Sequence, residues 1–200
     1  MTIHNERTIM RRTIAAVVVA GMCGALTAEV AEEQRGAAEG GANAAAEERA
    51  DAWRDALRAK TVARAQADLV LYGREGCREI EMAYRAYSKS GDVDNEHLQK
   101  LLEKFPKANR TGCAVMYAGQ RSQGKDGGKW FRLAIEKFGD CMYGDGAQVG
   151  AYARFYLAKQ LEREGKKSEA DAMREELLKL YPDARTHRGR KMSDYINSAK

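Results

Sequence analysis

Proline and histidine are both rare in this sequence, with 2 prolines and 3 histidines among 200 residues. After residue 30, runs of β-branched residues are few, and no stretch alternates cleanly between apolar and polar side chains. A half-buried strand would show that alternation, so the pattern speaks against a β-sheet. Alanine, glutamate, lysine and arginine, which favour helices, are abundant, and the composition therefore predicts an all-α fold.

The scarcity of histidine also limits the chemistry that this chain offers. A zinc site needs three or four ligands brought together, whereas His97 and His187 lie far apart and His4 belongs to the N-terminal segment. No motif pairs a nucleophile with a base or sets two carboxylates as acid and base. We therefore expect a protein that is not an enzyme, with no catalytic residue, metal or cofactor, and with both downstream histidines at the surface.

One glycine-rich loop, Gly144-Asp145-Gly146, precedes a predicted helix. A phosphate-binding loop would also need a strand before it and a defined spacing, and neither is present. Together with Asp140, Asp145 supplies too few oxygens for a calcium loop. The loop is interpreted as a tight turn.

Three cysteines, Cys77, Cys113 and Cys141, follow the N-terminal segment that contains Cys23. In an oxidising compartment this odd number is consistent with one disulfide and one buried thiol, and the spacing does not fix the pair. Cys113 falls at a packing position of a predicted helix, which indicates a structural thiol rather than a nucleophile.

The N-terminus has the layout of a secretory signal peptide. Arg7, Arg11 and Arg12 form a basic segment, which is followed by sixteen uncharged residues, 13–28, that end in small side chains. A membrane-spanning helix needs about 20 apolar residues, and the run is shorter than that. The pattern predicts a signal peptide over residues 1–28 and an exported protein, periplasmic or extracellular, with no membrane span after cleavage. An uncleaved anchor is the alternative.

Charge is spread unevenly along the rest of the chain. Residues 29–106 have 12 basic and 16 acidic side chains, whereas residues 107–200 have 19 basic and 12 acidic ones. The second half can therefore attract an acidic partner. The basic residues are too dispersed for a nucleic-acid interface, so nucleic acid is not expected as a partner.

Residues 29–46 are an Ala/Glu/Gly-rich segment with almost nothing to bury and are predicted to be a disordered linker. Residues 47–94 are predicted to form N-terminal helices, the first of them amphipathic and broken at Gly73 and Gly76. The apolar stripe of that first helix consists of Ala50, Trp53, Leu57, Val62, Ala65, Leu69 and Leu71.

The remainder, 95–200, has an internal repeat and a basic C-terminal tail. A helix predicted over 95–105 ends at Phe105-Pro106, and the same ending recurs at Tyr181-Pro182 and, with glycine for proline, at Phe138-Gly139. The first interval, 33 residues, is close to a 34-residue helix-turn-helix period. The second interval, from Gly139 to Pro182, is 43 residues. We interpret its additional residues, relative to the first interval, as one long loop at 140–146.

The repeat resembles the tetratricopeptide family over about residues 95–183. The matching residues are Leu157, Ala158 and Leu161 in the first helix of the later repeat, Gly165 between its helices, Ala170 in the second helix and the closing Pro182. The earlier repeat matches at Ala114, Tyr117, Phe131, Ala134 and Ile135, but has Gly127-Gly128 where an alanine is usual. Arg154 and Arg174 also depart from the pattern, which predicts looser packing there. The resemblance implies a short antiparallel array of helix-turn-helix units.

Four residues of the predicted helix 151–165 are candidates for a partner-binding stripe. Tyr152, Phe155, Lys159 and Arg163 are spaced by three, four and four residues, so they share one helix face. The resemblance implies that the matching positions line a concave groove. Two aromatic rings and two cations suit an acidic or C-terminal peptide end, and the alternative is that the rings are core and the cations a solvated face.

We therefore expect an exported, non-enzymatic protein-interaction module that uses a helical-repeat surface to hold a protein or peptide partner. The alternative is a self-associating structural component of the cell envelope. Three repeats are about the minimum for a stable stack, which makes a homo-oligomer physically attractive.

Overall fold

The computed structural model describes residues 52–53, 55–122 and 126–197, and the predicted signal peptide and linker lie outside them. Almost all of the described residues belong to one compact unit, Ala56–Lys200. These residues are helical apart from turns, short connections and isolated bridge pairs, and they include no strand. The predicted all-α class is confirmed.

Seven helices are present in the described residues. They are α1 (55–89), α2 (Glu96–Lys104), α3 (Asn109–Arg121), α4 (Gly127–Lys137), α5 (Val149–Arg163), α6 (Lys167–Leu180) and α7 (Met192–Asn197). The recurring aromatic residues of the sequence are the C-caps of α2, α4 and α6. Phe105, Phe138 and Tyr181 each donate their backbone N–H to the carbonyl four residues earlier.

The predicted break at Gly73 and Gly76 is wrong, because residues 55–89 form one continuous helix, which bends at Gly73. Gly73 has φ 67°, in the left-handed region that favours glycine. A Cβ on Gly76 would lie 2.8 Å from Tyr72 Cβ, whereas Cβ atoms four residues apart on a regular helix are about 5–6 Å apart. The bend divides α1 into a first arm, 55–72, and a second arm, 74–89.

The apolar stripe predicted for the first arm is only partly buried. Leu57 is half-buried, whereas Val62, Leu69 and Leu71 are about half exposed. In the second half of the arm the buried residue is polar, since Asp68 is 9% exposed and accepts a hydrogen bond from the backbone N–H of Asn109 at 2.9 Å. This bond caps α3 from a distance, which compensates for the missing side-chain cap at Ala108.

The core of the unit lies among α3, α4 and α5, and close contacts there depend on small residues. Gly119 lets the Phe131 ring rest on α3, because a Cβ on Gly119 would lie 2.4 Å from that ring. Ala158 on α5 and Ala170 on α6, two of the residues that match the repeat pattern, are 1% and 0% exposed. Such small residues allow helices to approach closely while large ones fill the gaps.

The two arginines that depart from the repeat pattern both make ion pairs between α5 and α6. Arg154 is 8% exposed, and its Nε donates to Glu176 on α6 at 3.0 Å. Arg174, on α6, pairs with Glu162 on α5 at 2.6 Å. Both side chains therefore join α5 to α6 through ion pairs.

The long loop before α5 is a hairpin, and it recurs before α7. In the first hairpin, residues 138–149, Tyr143 N–H donates to Ala147 O at 2.8 Å, and Met142 pairs with Gln148 as an isolated bridge. In the second hairpin, residues 181–192, Thr186 N–H donates to Arg190 O at 2.8 Å. The excess of the 43-residue interval therefore lies in the loop before α5, as predicted, and the same hairpin shape recurs after α6.

Candidate functional site

The candidate site is built on α5, which is held at both ends by its own connections. At its start, Val149 N–H donates to Cys141 O of the first hairpin at 2.9 Å. At its end, Gly165 has φ 77°, and Lys166 N–H donates to Leu161 O at 2.9 Å. This left-handed glycine satisfies terminal carbonyls and turns the chain directly into α6.

A groove of about 320 Å³ runs beside α5. Residues from α3, α5, the second hairpin and α7 line the groove. It therefore exists only in the folded chain, where these segments, which are distant in sequence, meet. The lining residues are Gln120, Tyr152, Phe155, Tyr156, Lys159, Thr186, His187, Arg188, Met192 and Tyr195. Three of the four predicted binding residues belong to this set.

Phe155 and Lys159 are the predicted residues that face the groove with accessible surface. The Lys159 ammonium lies 4.5 Å from the centre of the half-buried Phe155 ring. A cation at this distance from an aromatic face is attracted by the ring quadrupole. Lys159 is exposed, so its charge remains available to a ligand.

Tyr152 lies at the base of the groove, where its side chain is buried and hydrogen-bonded within the fold. It is 5% exposed, and its hydroxyl accepts a hydrogen bond from the backbone N–H of His187 at 2.7 Å. Burial raises the pKa of this phenol. Tyr152 therefore acts mainly as the residue that attaches the second hairpin to α5.

Arg163 lies outside the groove. Its side chain is exposed and donates to the carbonyl of Lys159, one helical turn earlier, at 3.3 Å. The four-residue stripe is thus divided by the structure into a buried anchor, two groove residues and one residue on the solvated face.

Sequence reasoning missed the part of the groove that comes from the C-terminal segment. Tyr195 packs edge-on against Phe155 with ring centres 6.4 Å apart, and Arg188 contributes a second cation. His187, at the surface as predicted, places Nδ1 2.7 Å from an Asp145 carboxylate oxygen. The recurrence of Gly146 at Gly189, 43 residues later, is the sequence signal that could have placed this segment beside α5.

Aromatic rings continue from the groove toward α1. Tyr143 connects Tyr152, at 6.2 Å, to Tyr117 on α3, at 5.8 Å. Tyr117 in turn stacks on Tyr84 of α1 at 6.2 Å, and the Arg110 guanidinium lies 4.8 Å from the Tyr84 ring centre. A row of buried and half-buried rings therefore extends from α5 to α1, with the Arg110 guanidinium at the α1 end.

The thiol considered as a nucleophile is buried. Cys113 is 0% exposed, and burial raises the pKa of its thiol well above the ordinary value. Nucleophilic cysteines are thiolates in accessible, electropositive surroundings. The prediction that Cys113 is buried at a packing position of its helix is confirmed.

The two aspartates of the first hairpin contact different partners. Asp140 pairs with Arg64 of α1 at 3.3 Å, whereas Asp145 pairs with His187. Within the described residues, no group of three or more His, Cys, Asp or Glu side chains is placed to hold a metal ion. The glycine-rich loop is the turn that the sequence predicted, with Gly146 at φ 83°.

None of the helices in the described part of the chain has both the length and the apolar character needed to cross a bilayer. No protein-family model matches this chain, and no curated protein or solved structure matches it.

Proposed function

We propose that this protein is an exported, non-enzymatic interaction module whose groove beside α5 binds an extended segment of a protein partner. The observation that carries the proposal is the pairing of Phe155 with Lys159 in a groove that Tyr195 and Arg188 complete. Rings supply contact area at low entropic cost, and the cations supply orientation.

The chemistry of the groove favours a carboxylate-bearing ligand. Lys159 and Arg188 are exposed cations at its rim, and charge-assisted hydrogen bonds to carboxylates are stronger than neutral ones. An acidic side chain or a free C-terminus could reach these cations while an apolar neighbour covers Phe155. This is the mode in which a repeat surface holds a peptide end.

A tetratricopeptide-like arrangement is part of the proposal. The connection between α5 and α6 spans only residues 164–166, and α4 packs on both α3 and α5. Short connections of this kind join antiparallel neighbours. The hairpin that recurs before α5 and α7 supports a stack in which each unit repeats the last.

A peptide array tests the ligand class. Decapeptides of varied sequence with a free C-terminal carboxylate are compared with the same peptides ending in an amide, using the purified chain labelled at its N-terminus. We expect the strongest spots to carry acidic residues or the free carboxylate, and to weaken in high salt because the contacts are charged. Equal binding to both arrays with no preference for acidic sequences would contradict the proposed chemistry.

The export part of the proposal rests on the basic and apolar N-terminal pattern. N-terminal sequencing of the protein recovered outside the cytoplasm is expected to begin between Leu26 and Ala31. Recovery of chains that still begin at Met1, and only from the cytoplasm, would overturn this part.

A second candidate function, self-association in the cell envelope, is favoured by the outward face of the first arm. Val62, Leu69 and Val70 are exposed there, and contiguous exposed apolar side chains mark contact surfaces. Size-exclusion chromatography with light scattering separates the two functions. A monomer supports peptide binding, whereas an oligomer that Val70→Glu dissociates supports the structural role.

A further inference from the structure

Cys113 on α3 and Cys141 in the first hairpin are brought side by side by the fold. A Cβ on Gly112, the residue before Cys113, would lie 2.6 Å from Cys141 Sγ. The Cys113 side chain in turn contacts the hairpin, since its Sγ lies 3.5 Å from the carbonyl oxygen of Met142, the residue after Cys141. Both side chains are 0% exposed, and all three described cysteines are thiols in the structure.

The backbone segments that hold these two cysteines are fixed against each other by Asn109. Its side-chain amide donates to Met142 O at 2.8 Å, and its carbonyl oxygen accepts from Met142 N–H at 2.7 Å. A disulfide requires Cα atoms about 4.4–6.8 Å apart and suitably directed Cβ atoms. The double hydrogen bond keeps the hairpin next to α3, so the two cysteines stay near each other in the folded chain.

The second hairpin offers a comparison for the position of Cys141. Ala184 stands at the hairpin position that Cys141 occupies in the first hairpin, three residues after the aromatic C-cap. It is buried, at 4% exposure, so an alanine is sufficient to fill this position.

Cys77 does not share this arrangement. It follows Gly76, whose Cβ position faces Tyr72 and Phe105 rather than a cysteine, and its side chain is partly exposed. In the connection after α2, the position that matches Cys141 is Ala108, which makes the same turn bond to its aromatic C-cap. The three cysteines therefore divide into one adjacent buried pair and one separate thiol.

We propose that Cys113 and Cys141 are the site of an intrachain disulfide that joins the first hairpin to α3, with Cys77 as the remaining thiol. The oxidant is a disulfide, either a small-molecule disulfide or the active-site disulfide of an oxidoreductase. One thiolate attacks the oxidant and forms a mixed disulfide, and the second thiolate displaces the reduced carrier sulfur. The two protein thiols thus lose two electrons and two protons, and the oxidant is reduced to two thiols.

The test is disulfide mapping of the full chain after refolding in a glutathione and glutathione-disulfide buffer. The protein is unfolded, alkylated without reduction, digested and analysed by mass spectrometry. We expect a linked pair of peptides that contain Cys113 and Cys141, with alkylated Cys77. Alkylation of both Cys113 and Cys141, or a bond that includes Cys77, would overturn the proposal.

A stability measurement provides a second readout in the Cys77→Ser background. The oxidised protein is expected to melt about 6–12 °C above the reduced protein, because the bond closes a chain loop of about 28 residues in the unfolded state. Cys141→Ala in the same background is the control, since alanine occupies the equivalent position 184. Its melting temperature should be the same with and without reductant, whereas an equal response in both proteins would contradict the assignment.

Discussion

The hairpins before α5 and α7 have the same backbone but opposite surroundings. Each begins at an aromatic C-cap and has a left-handed glycine, Gly146 at φ 83° in the first and Gly189 at φ 76° in the second. The first hairpin buries Cys141, Met142 and Tyr143, whereas residues 187–191 of the second are exposed. One is enclosed by other helices and the other forms the rim of the groove.

The difference shows that local sequence sets the shape of the hairpin, whereas tertiary contacts set its role. Both hairpins share an aspartate two residues after the aromatic C-cap and a glycine six residues after that. Only the first is held by the double hydrogen bond from Asn109. The second is attached to α5 through the Tyr152 hydroxyl, and its tip, residues 187–191, is exposed.

The largest expected effect comes from removing, one at a time, the side-chain hydrogen bonds that hold the hairpins. Asn109 holds the first hairpin, and the Tyr152 hydroxyl holds the second. Asn109→Ala is expected to lower the free energy of unfolding by about 2–4 kcal/mol, because it leaves the buried N–H of Met142 without a partner and its C=O with only the weak thiol donor of Cys113. Tyr152→Phe removes one hydrogen bond near the surface and should cost about 0.5–1.5 kcal/mol. Urea denaturation of both variants measures the difference, and equal losses would contradict the claim that the first hairpin is held more tightly.

A matched pair of glycine substitutions sharpens the comparison. Gly146→Ala and Gly189→Ala both force alanine into the left-handed region, at about 1–2 kcal/mol each. A Cβ at position 146 would also lie 2.0 Å from Leu57 Cδ2, whereas nothing lies within 4 Å of one at 189. Gly146→Ala is therefore expected to cost about 2–3 kcal/mol in total. A lower melting temperature for Gly189→Ala than for Gly146→Ala would contradict this comparison.

The smallest expected effect concerns the contact between the two hairpins. Asp145 of the first and His187 of the second are 2.7 Å apart, and both side chains are more than 40% exposed. A double-mutant cycle of Asp145→Ala and His187→Ala is expected to yield a coupling of about 0.2–1 kcal/mol, as for other exposed pairs. A coupling above 2 kcal/mol would mean that the hairpins depend on each other far more than their exposure indicates.

Several elements could be predicted from sequence because their causes are local. Pro106 and the aromatic residues that precede the chain turns fixed the ends of three helices, and Gly73 marked the bend in α1. A proline cannot continue a helix, and a glycine alone adopts positive φ without strain. These causes act within a few residues, so the sequence is sufficient to identify them.

The orientation of the first arm could not be predicted because its cause is distant. The pattern of Val62 and Leu69 indicates a buried apolar face, but Asp68 and Arg64 bind the start of α3 and the first hairpin. Those hydrogen bonds turn the polar side inward. Likewise, Phe155 and Lys159 could be placed on one helix face, but the closure of the groove by Tyr195 depends on the second hairpin.

The most direct test of the proposed function compares charge reversal at two neighbouring cations of α5. Lys159 lines the groove and Arg163 does not, although both are exposed and stand one turn apart. Fluorescence anisotropy with the strongest free-carboxylate peptide from the array measures the dissociation constant of each variant, and thermal melts confirm that both fold. We predict that Lys159→Glu weakens binding at least about tenfold, or 1.4 kcal/mol, while Arg163→Glu stays within about twofold. Tight binding by Lys159→Glu, or equal losses in the two variants, would contradict the assignment of the groove as the binding site.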